Sequence, residues 1–326
     1  MKLQILVPQY KETEDVIKQL LDSIEVQQNV DLANDVGVII VNDGTDTRLS
    51  RKFLNRYSFP IEYHKHKHKG VSATRNACLD YATADYVMFC DADDMFYNAC
   101  GLYVVFREID NGGFDSLVSA FIEETRDPQI KVPVYINHDM DSTFVHGKIH
   151  RRQFLIDSNI RWNESLTIHE DSYFNCLCQK LAKELKYSQT SFYLWRWRDT
   201  SVCRHDPKYI LKTYKNMLDS NTALIEQLLL RGKQEEAVFY AVNMIYDAYF
   251  TMNKDEWLNQ ENVEYRSSTE RRFKQYWLQF KYLHDSIPQD VKTQIIMGIR
   301  GRMYGEGMVL ETLTFNEWIK IVEELS

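Results

Sequence analysis

The sequence predicts an α/β domain built on a mixed, mostly parallel sheet, followed by a helical C-terminal domain. Three observations carry this. Short apolar runs of strand length alternate with helically spaced segments through the N-terminal part. Those runs end at Pro or Asp, and two of the carboxylates fall where a strand should stop. After Pro207 strand-like runs give way to long helical periodicity.

The first run, Leu3 to Pro8, reads as a strand stopped by the proline. From Thr13 to Ile24 apolar residues fall at Val16, Ile17, Leu20, Leu21 and Ile24, which is helical spacing. Val36 to Val41 is a second buried strand, ended by Asn42-Asp43-Gly44, and Arg48 to Tyr57 can form a short helix. Ile61 to His64 makes a third strand, Gly70 to Tyr81 a helix, and Tyr86 to Cys90 a fourth strand. This β-α-β-α-β-α-β order calls for parallel strands with helices on both faces. Such sheets bind ligands beyond the carboxyl ends of their strands, and Tyr10, Asp43 and Asp91 all follow strand ends. The middle of the chain is mixed. Leu117 to Ile122, Val132 to Ile136 and Tyr187 to Trp197 look like strands, with Trp195 and Trp197 on one face of the last and Arg196 and Arg198 on the other. Arg151 to Ser158 and Asp171 to Leu185 look helical. Helical periodicity then covers Ile210 to Leu230, Glu235 to Phe250 and Thr269 to Leu283. Thr314-Phe315-Asn316-Glu317 reads as a capping box before a last helix. We place the boundary so that residues 1–206 form the first domain and 207–326 the second.

Composition narrows the functional classes. The 326 residues are 44% hydrophobic and 26% charged, an ordinary globular balance. No apolar run reaches the length of a membrane span, and Met1-Lys2 leads straight into a strand-like run, so we expect a cytoplasmic protein without signal peptide or anchor. The net charge is −8, and neither half, divided at Asp206, carries the basic excess of a nucleic-acid module. The six cysteines form no C-x-x-C pair and are expected to be buried free thiols.

The chemistry concentrates at Asp91-Ala92-Asp93-Asp94, a carboxylate cluster at the end of a buried strand. Such a cluster is costly without a positive partner, and a divalent cation carrying a diphosphate suits it. The other reading is a turn in which Asp caps the next helix.

Five segments in order give the cluster its context: Leu6-Val7-Pro8-Gln9-Tyr10, Ile40 to Asp46, Gly70-Val71-Ser72-Ala73-Thr74-Arg75-Asn76, Phe89 to Asp94, and Gly147 to Arg152 followed by His169-Glu170-Asp171. Together they resemble the family 2 glycosyltransferases, which have a GT-A fold. The likeness covers about residues 1–205, with Asn42 standing where the family has a first Asp. It implies an inverting, metal-dependent enzyme using Mn²⁺ or Mg²⁺ and a nucleotide-sugar donor, UDP foremost.

On that resemblance Pro8, Tyr10, Asp43, Arg75 and Asp91 are expected to bind the nucleotide. Tyr10 can stack on the base or pack on the first helix, and Asp43 can accept an imide N–H or hold its own turn. Arg75 can meet the nucleotide or form an ion pair. Asp93 should bind the metal directly, Asp91 the ribose or the metal's shell, and Asp94 is a third carboxylate or a cap. Asp171 is the expected general base and Glu170 the second choice, both at a helix start. His205 can be a third metal ligand, a phosphate donor or an exposed loop histidine. Arg198 and Lys148 are candidates for the diphosphate. Trp195 and Trp197 can stack on an acceptor sugar or belong to the core. The His64 to Lys69 run, alternating His and Lys, is either a rim that meets anions or a solvated loop.

The expected acceptor is a surface glycan or glycopolymer, with a protein or a hydroxymethylated base in phage-type DNA as alternatives, the last implying a host cytoplasm. The helical domain would serve acceptor binding or homo-oligomer assembly. Two other classes remain in view. A nucleotidyltransferase would usually show a Gly-rich phosphate loop, which is missing after Val7, and a non-catalytic nucleotide-binding module would not need Asp93 and Asp171.

Overall fold

Strands β1 (Leu3–Gln9), β2 (Val36–Asp43), β3 (Ile61–His66) and β4 (Tyr86–Phe89) lie side by side in the order β3-β2-β1-β4, every neighbouring pair parallel. They belong to the computed structural model of the chain, which describes residues 1–127, 129–199, 206, 208–305 and 313–325. All eight residues of β2 are buried, as expected of a parallel strand covered on both faces. The connections carry α1 (Glu14–Glu25), α2 (Leu32–Asp35), α3 (Arg51–Leu54) and α4 (Val71–Tyr81). Helix α1 turns Ile17, Leu20, Leu21 and Ile24 into the core.

Pro8 does not stop β1, which runs on to Gln9. The backbone oxygen of Leu6 accepts from Cys90 N–H, so Pro8, two residues on, faces the same way. The ladder with β4 has already ended at Leu6–Phe89, so the missing N–H costs no sheet bond. The segment expected as a short helix from Arg48 is a single turn, begun by the Ser50 hydroxyl accepting from Phe53 N–H at 3.2 Å.

The sheet continues with β5 (Met95–Phe96), β6 (Ser116–Arg126), β7 (Pro133–His138), β8 (Lys148–Arg151) and β9 (Leu185–Trp195), interleaved with α5 (Gly101–Asp110), α6 (Arg152–Asp157) and α7 (Glu170–Leu181). Beyond β4 the order is β8-β6-β9-β5, with β7 on the free stretch of β6. Strand β8 is antiparallel to both neighbours, whereas β6 and β9 run parallel. The sheet is therefore mixed, with its parallel character concentrated in the first four strands.

Helix α7 ends at Leu181, short of the expected Leu185. The carboxylate of buried Asp115 accepts from Lys183 N–H at 2.8 Å and Glu184 N–H at 3.2 Å, which draws those amides out of the helix. Strand β9 ends at Trp195, so Trp195 and Trp197 do not share one strand face as expected. The Arg196 N–H donates to Asp94 Oδ1 at 2.9 Å, away from any ladder.

The chain divides into two units, Met1–Ser201 and Val202–Ser326. The second contains helices only, among the described residues: α8 (Tyr209–Leu230), α9 (Gln234–Met252), α10 (Asp255–Leu258), α11 (Val263–Asp285), α12 (Gln289–Gly305) and α13 (Phe315–Glu324). Its core is aromatic, with Tyr214, Trp257, Phe273, Tyr276 and Trp318 buried. Thr314 and Glu317 form the expected capping box at the start of α13. No described helix is long and apolar enough to cross a membrane. Among the described cysteines, Cys78, Cys90, Cys176 and Cys178 are buried and free, while Cys100 is free but exposed; Cys203 lies outside the described residues.

Candidate active site

The strand order reverses between β1 and β4, and the carboxyl ends on either side open a crevice. A cleft of about 350 Å³ lies there. Of the residues singled out in the sequence, it brings together Pro8, Tyr10, Asp43, Arg75, Asp91 and Asp93. It adds Gln9, Gly70 and Thr74 from the segments that carry the resemblance, His68 from the His–Lys run, and Glu12, which the sequence did not single out.

Asp43 ends β2 with its side chain buried. Its Oδ1 accepts from Lys69 N–H at 2.8 Å and its Oδ2 from Gly70 N–H at 3.0 Å. His68 Nδ1 stands 2.8 Å from Oδ2 and His66 Nε2 3.4 Å from Oδ1. The carboxylate thus clamps the loop that starts α4. Gly44 makes the close approach possible: its φ is +79°, and a Cβ there would lie 2.3 Å from His68 N. Next to it, Asn42 is fully buried and donates from Nδ2 to Thr47 O at 2.7 Å and Gln9 Oε1 at 3.2 Å. Its own Oδ1 accepts from Thr45 N–H at 2.9 Å. An amide both gives and takes at this position, which a carboxylate cannot do.

Tyr10 is exposed at the cleft mouth, with its ring centroid 5.0 Å from that of His68. It does not pack on the first helix as a core residue would.

Helix α4 is polar on its buried side because that side organises the loop before α7. Ser72 Oγ donates to Leu166 O, and Asn76 both donates to Trp162 O and accepts from Trp162 N–H. Arg75, 4% exposed, donates from Nη2 to Asp91 Oδ1 and from Nη1 to Glu170 Oε1, both at 2.9 Å. Its guanidinium lies 4.4 Å from the Trp162 ring centroid. Burial works against the charge, but Asp91, Glu170 and Asp171 outweigh it and hold the group firmly protonated. The surface ion pair considered from sequence is replaced by a buried bridge.

Asp93 Oδ2 accepts from Arg198 Nη1 at 2.7 Å. Asp94 lies beneath, buried, accepting from Tyr193 Oη at 2.5 Å and from Arg196 N–H. Burial, with Asp93 and Asp91 adding to it, raises the Asp94 carboxyl well above its usual range, against the hydrogen bonds from Tyr193 and Arg196. Five carboxyl groups, those of Asp91, Asp93, Asp94, Glu170 and Asp171, thus collect around three guanidinium groups, those of Arg75, Arg196 and Arg198. Asp91 and Asp93, the two of these carboxylates that line the cleft, are hard oxygen donors of the kind a divalent cation takes. Arg75 engages only Oδ1 of Asp91 and Arg198 only Oδ2 of Asp93, so among the described residues each carboxylate keeps an oxygen without a donor. Asp91 also belongs to a second donor set with Asp94 and His146, whose ligand atoms lie within 4.8 Å of one another. His205 lies outside the described residues.

Asp171 follows Glu170 in the first turn of α7, half-buried. Burial and the adjacent Glu170 push its carboxyl up to about 7, opposed by Arg75 and the Ser172 N–H, with Asp91 adding to the rise. The helix N-terminus alone would depress it, so burial and charge prevail. His169, the residue that turns the chain into this helix, has φ +61°, a left-handed conformation uncommon outside glycine.

The remaining candidates stand elsewhere. Lys148 is buried in β8, donating to His146 O at 3.2 Å and 3.9 Å from Asp141 Oδ1. Burial lowers its amine to about 8, against Asp141 and Asp171. It is not among the residues lining the cleft. Trp195 joins an aromatic cluster with Phe144 and His146, and Trp197 Nε1 donates to Asp199. Sequence reasoning missed His146, Tyr193 and Glu12, which carry no motif of their own. It left His68 in a biased run; β3 ends at His66, and the loop after it brings His68 to Asp43 beside His66.

The model of the family described as glycosyl transferase family 2 matches residues 4–174. Over 221 residues the chain is 24% identical to the uncharacterized glycosyltransferase EpsJ of Bacillus subtilis, covering 61% of this chain and 62% of that one. Over 189 residues it is 27% identical to the poly(ribitol-phosphate) beta-N-acetylglucosaminyltransferase TarS of Staphylococcus aureus, covering 53% and 32%. The chain therefore spans less than two thirds of either relative. The solved S. aureus TarS fragment in complex with UDP superposes with a TM-score of 0.60 at 19% identity, over 85% of this chain and 81% of that one. The mannosyltransferase PcManGT of Pyrobaculum calidifontis, solved with GDP-Man and Mn²⁺, gives 0.51 at 12% identity, over 99% and 84%. These likenesses identify the sheet unit as a GT-A fold.

Proposed function

The chain belongs to glycosyl transferase family 2 and carries a glycosyltransferase domain, and we propose that it moves a sugar from a UDP-sugar to a hydroxyl of a glycopolymer, with inversion at the anomeric carbon. The observation that carries this is the cleft that gathers Tyr10, Asp43, Asp91 and Asp93, joined through the Arg75 bridge to the start of α7, where Asp171 stands half-buried. A base poised there is matched to a hydroxyl proton at working pH. The named activity of TarS supports a polymer acceptor, and the UDP in its complex supports the donor.

In this mechanism the base and ribose occupy the cleft between Tyr10 and Asp91, and the diphosphate lies along Asp91 and Asp93 near Arg198. The acceptor hydroxyl attacks the anomeric carbon while Asp171 takes its proton. The bond from that carbon to the diphosphate oxygen breaks, and UDP leaves. Arg75 orients Asp91 and Glu170 and keeps the cluster's charge from closing the site to an anionic donor. Mn²⁺ or Mg²⁺, held by Asp91 and Asp93, would supply Lewis-acid neutralisation of the departing diphosphate. His205 remains a candidate third ligand.

The test is product analysis with a panel of UDP-sugars, Mn²⁺ and poly(ribitol phosphate) as first acceptor. UDP release with a new glycosidic bond of inverted configuration, lost in Asp171→Asn, is the expected result. Retained configuration would overturn the single displacement, and release of pyrophosphate from a nucleoside triphosphate would make the enzyme a nucleotidyltransferase.

A further inference from the structure

The geometry points to His68 as the residue that selects the nucleobase, by accepting the imide N–H of a uracil ring at its Nε2. This deepens the proposed use of a UDP-sugar and rests on that reading. Asp43 is the residue the family resemblance offers for the imide. Here its two oxygens already receive the Lys69 and Gly70 amides and the His68 ring, and its side chain is only 5% exposed. The His68 side chain, 60% exposed, lines the cleft instead.

The bond to Asp43 sets the chemistry of the ring. With Nδ1 placed 2.8 Å from a carboxylate oxygen, the hydrogen of the neutral imidazole sits on Nδ1 and Nε2 is an acceptor. Among the described residues no donor meets Nε2. The position is fixed from two sides, by the three bonds to Asp43 and by the close approach of the His68 backbone to Gly44. A base hydrogen-bonded edge-on to Nε2 lies near the plane of the imidazole. The Tyr10 ring stands beside the imidazole, tilted 32° with centroids 5.0 Å apart, so an aromatic side chain borders the same end of the cleft. Uracil presents an N–H at this edge. Cytosine presents a ring nitrogen with a lone pair at the same position, so two acceptors would face each other.

The test uses the full chain with Mn²⁺ and measures Kd for UDP and CDP by calorimetry, for the parent, His68→Phe and His68→Gln. The parent is expected to prefer UDP by about tenfold or more, the loss that follows from leaving a polar group in the site unpaired. His68→Phe keeps a ring beside Tyr10 but should bring the ratio close to one. His68→Gln, whose amide oxygen can take the place of Nε2, should restore the preference. In the parent with Mg²⁺ in place of the paramagnetic Mn²⁺, the ¹⁵N resonance of His68 Nε2 should move upfield with UDP and stay with CDP, a response that a purely structural histidine would not give. An unchanged UDP:CDP ratio in a folded His68→Phe, or an unmoved Nε2 resonance, would overturn the assignment while leaving the donor class standing. A parent that binds neither nucleotide would remove the donor reading itself.

Discussion

Arg75 Nη2 donates to Asp91 Oδ1 at 2.9 Å, and this bond ties the end of β4 to the start of α7, because the other arm of the same guanidinium holds Glu170. The strand end that should meet the nucleotide and the helix start that should meet the acceptor share one buried cation. Only a planar fork spans two carboxylates this way.

Arg75→Met is therefore expected to destabilise the protein by about 3 kcal/mol or more, because it leaves Asp91 and Glu170 facing each other without a counter-charge. Arg75→Lys keeps a charge but cannot hold both partners in place. We expect it to fold and yet to lose about 100-fold in transfer rate, the cost of misplacing groups by an ångström. Thermal unfolding and steady-state kinetics on the two variants separate the effects. Equal rates in Arg75→Lys and the parent would show that the bridge only holds the fold.

Asp171 makes the reaction pH-dependent in a defined sense. Its carboxyl sits at about 7, so the fraction able to take a proton grows tenfold per pH unit below that value and levels off above it. The rate should follow the same curve. Stability runs the other way. The folded protein holds this proton more tightly than the unfolded chain, so the stabilisation is complete in acid and is lost as pH rises through about 7. Asp171→Asn should lose about a thousandfold in rate. It should also resist urea better than the parent at pH 8, with the advantage shrinking toward pH 5. A parent whose rate is flat between pH 5 and 8 would remove Asp171 from the base role.

Removal of the cation is expected to release the donor more than to unfold the protein. The Asp93 carboxylate has Arg198 at 2.7 Å as an internal partner, so the fold does not depend on a metal there. Chelation should abolish UDP-sugar turnover while moving the melting temperature little. Asp93→Asn should weaken Mn²⁺ binding in the presence of UDP, read by electron spin resonance, by about tenfold or more. Unchanged Mn²⁺ affinity would shift the site to Asp91, Asp94 and His146.

Much of the nucleotide side of this site was legible in the sequence, because parallel strands announce themselves as apolar runs and their carboxyl ends must converge. Tyr10, Asp43 and Asp91 were placed by that logic alone, and the cleft collects all three. The second half was less legible. Strand β8 is four residues long and β5 only two, too short for any periodicity to show. The end of α7 depends on Asp115, a residue 68 positions away from the amide it captures. Like Arg198, Glu170 and Asp171, Lys148 and the two tryptophans do not line the cleft, for a related reason. Their residue types suit a sugar or a phosphate, but burial and the end of β9 decide where they point. His68 hid in a run that looked like solvated charge, and only the Asp43 contact distinguishes it.

Asn42 offers a last test, because the family pattern has aspartate there and this chain does not. The side chain is fully buried and its Nδ2 is surrounded by acceptors: Gln9 Oε1, Thr47 O, Thr45 Oγ1 and Tyr63 Oη. Asn42→Asp, although it restores the family residue, would remove the donor and set a carboxylate against the Thr47 carbonyl. The Thr45 and Tyr63 hydroxyls can turn to donate; the carbonyl cannot. The cost should be about 2–4 kcal/mol, the range for leaving a buried polar group unsatisfied and adding repulsion to it. Chemical denaturation at pH 7 measures it. The penalty should ease as pH falls toward 5, where burial favours the protonated carboxyl and the proton restores a donor. If instead Asn42→Asp is neutral and binds UDP more tightly, the position serves the nucleotide rather than the turn, and the Gln9–Asn42–Thr47 network would be a substitute for a lost ligand contact.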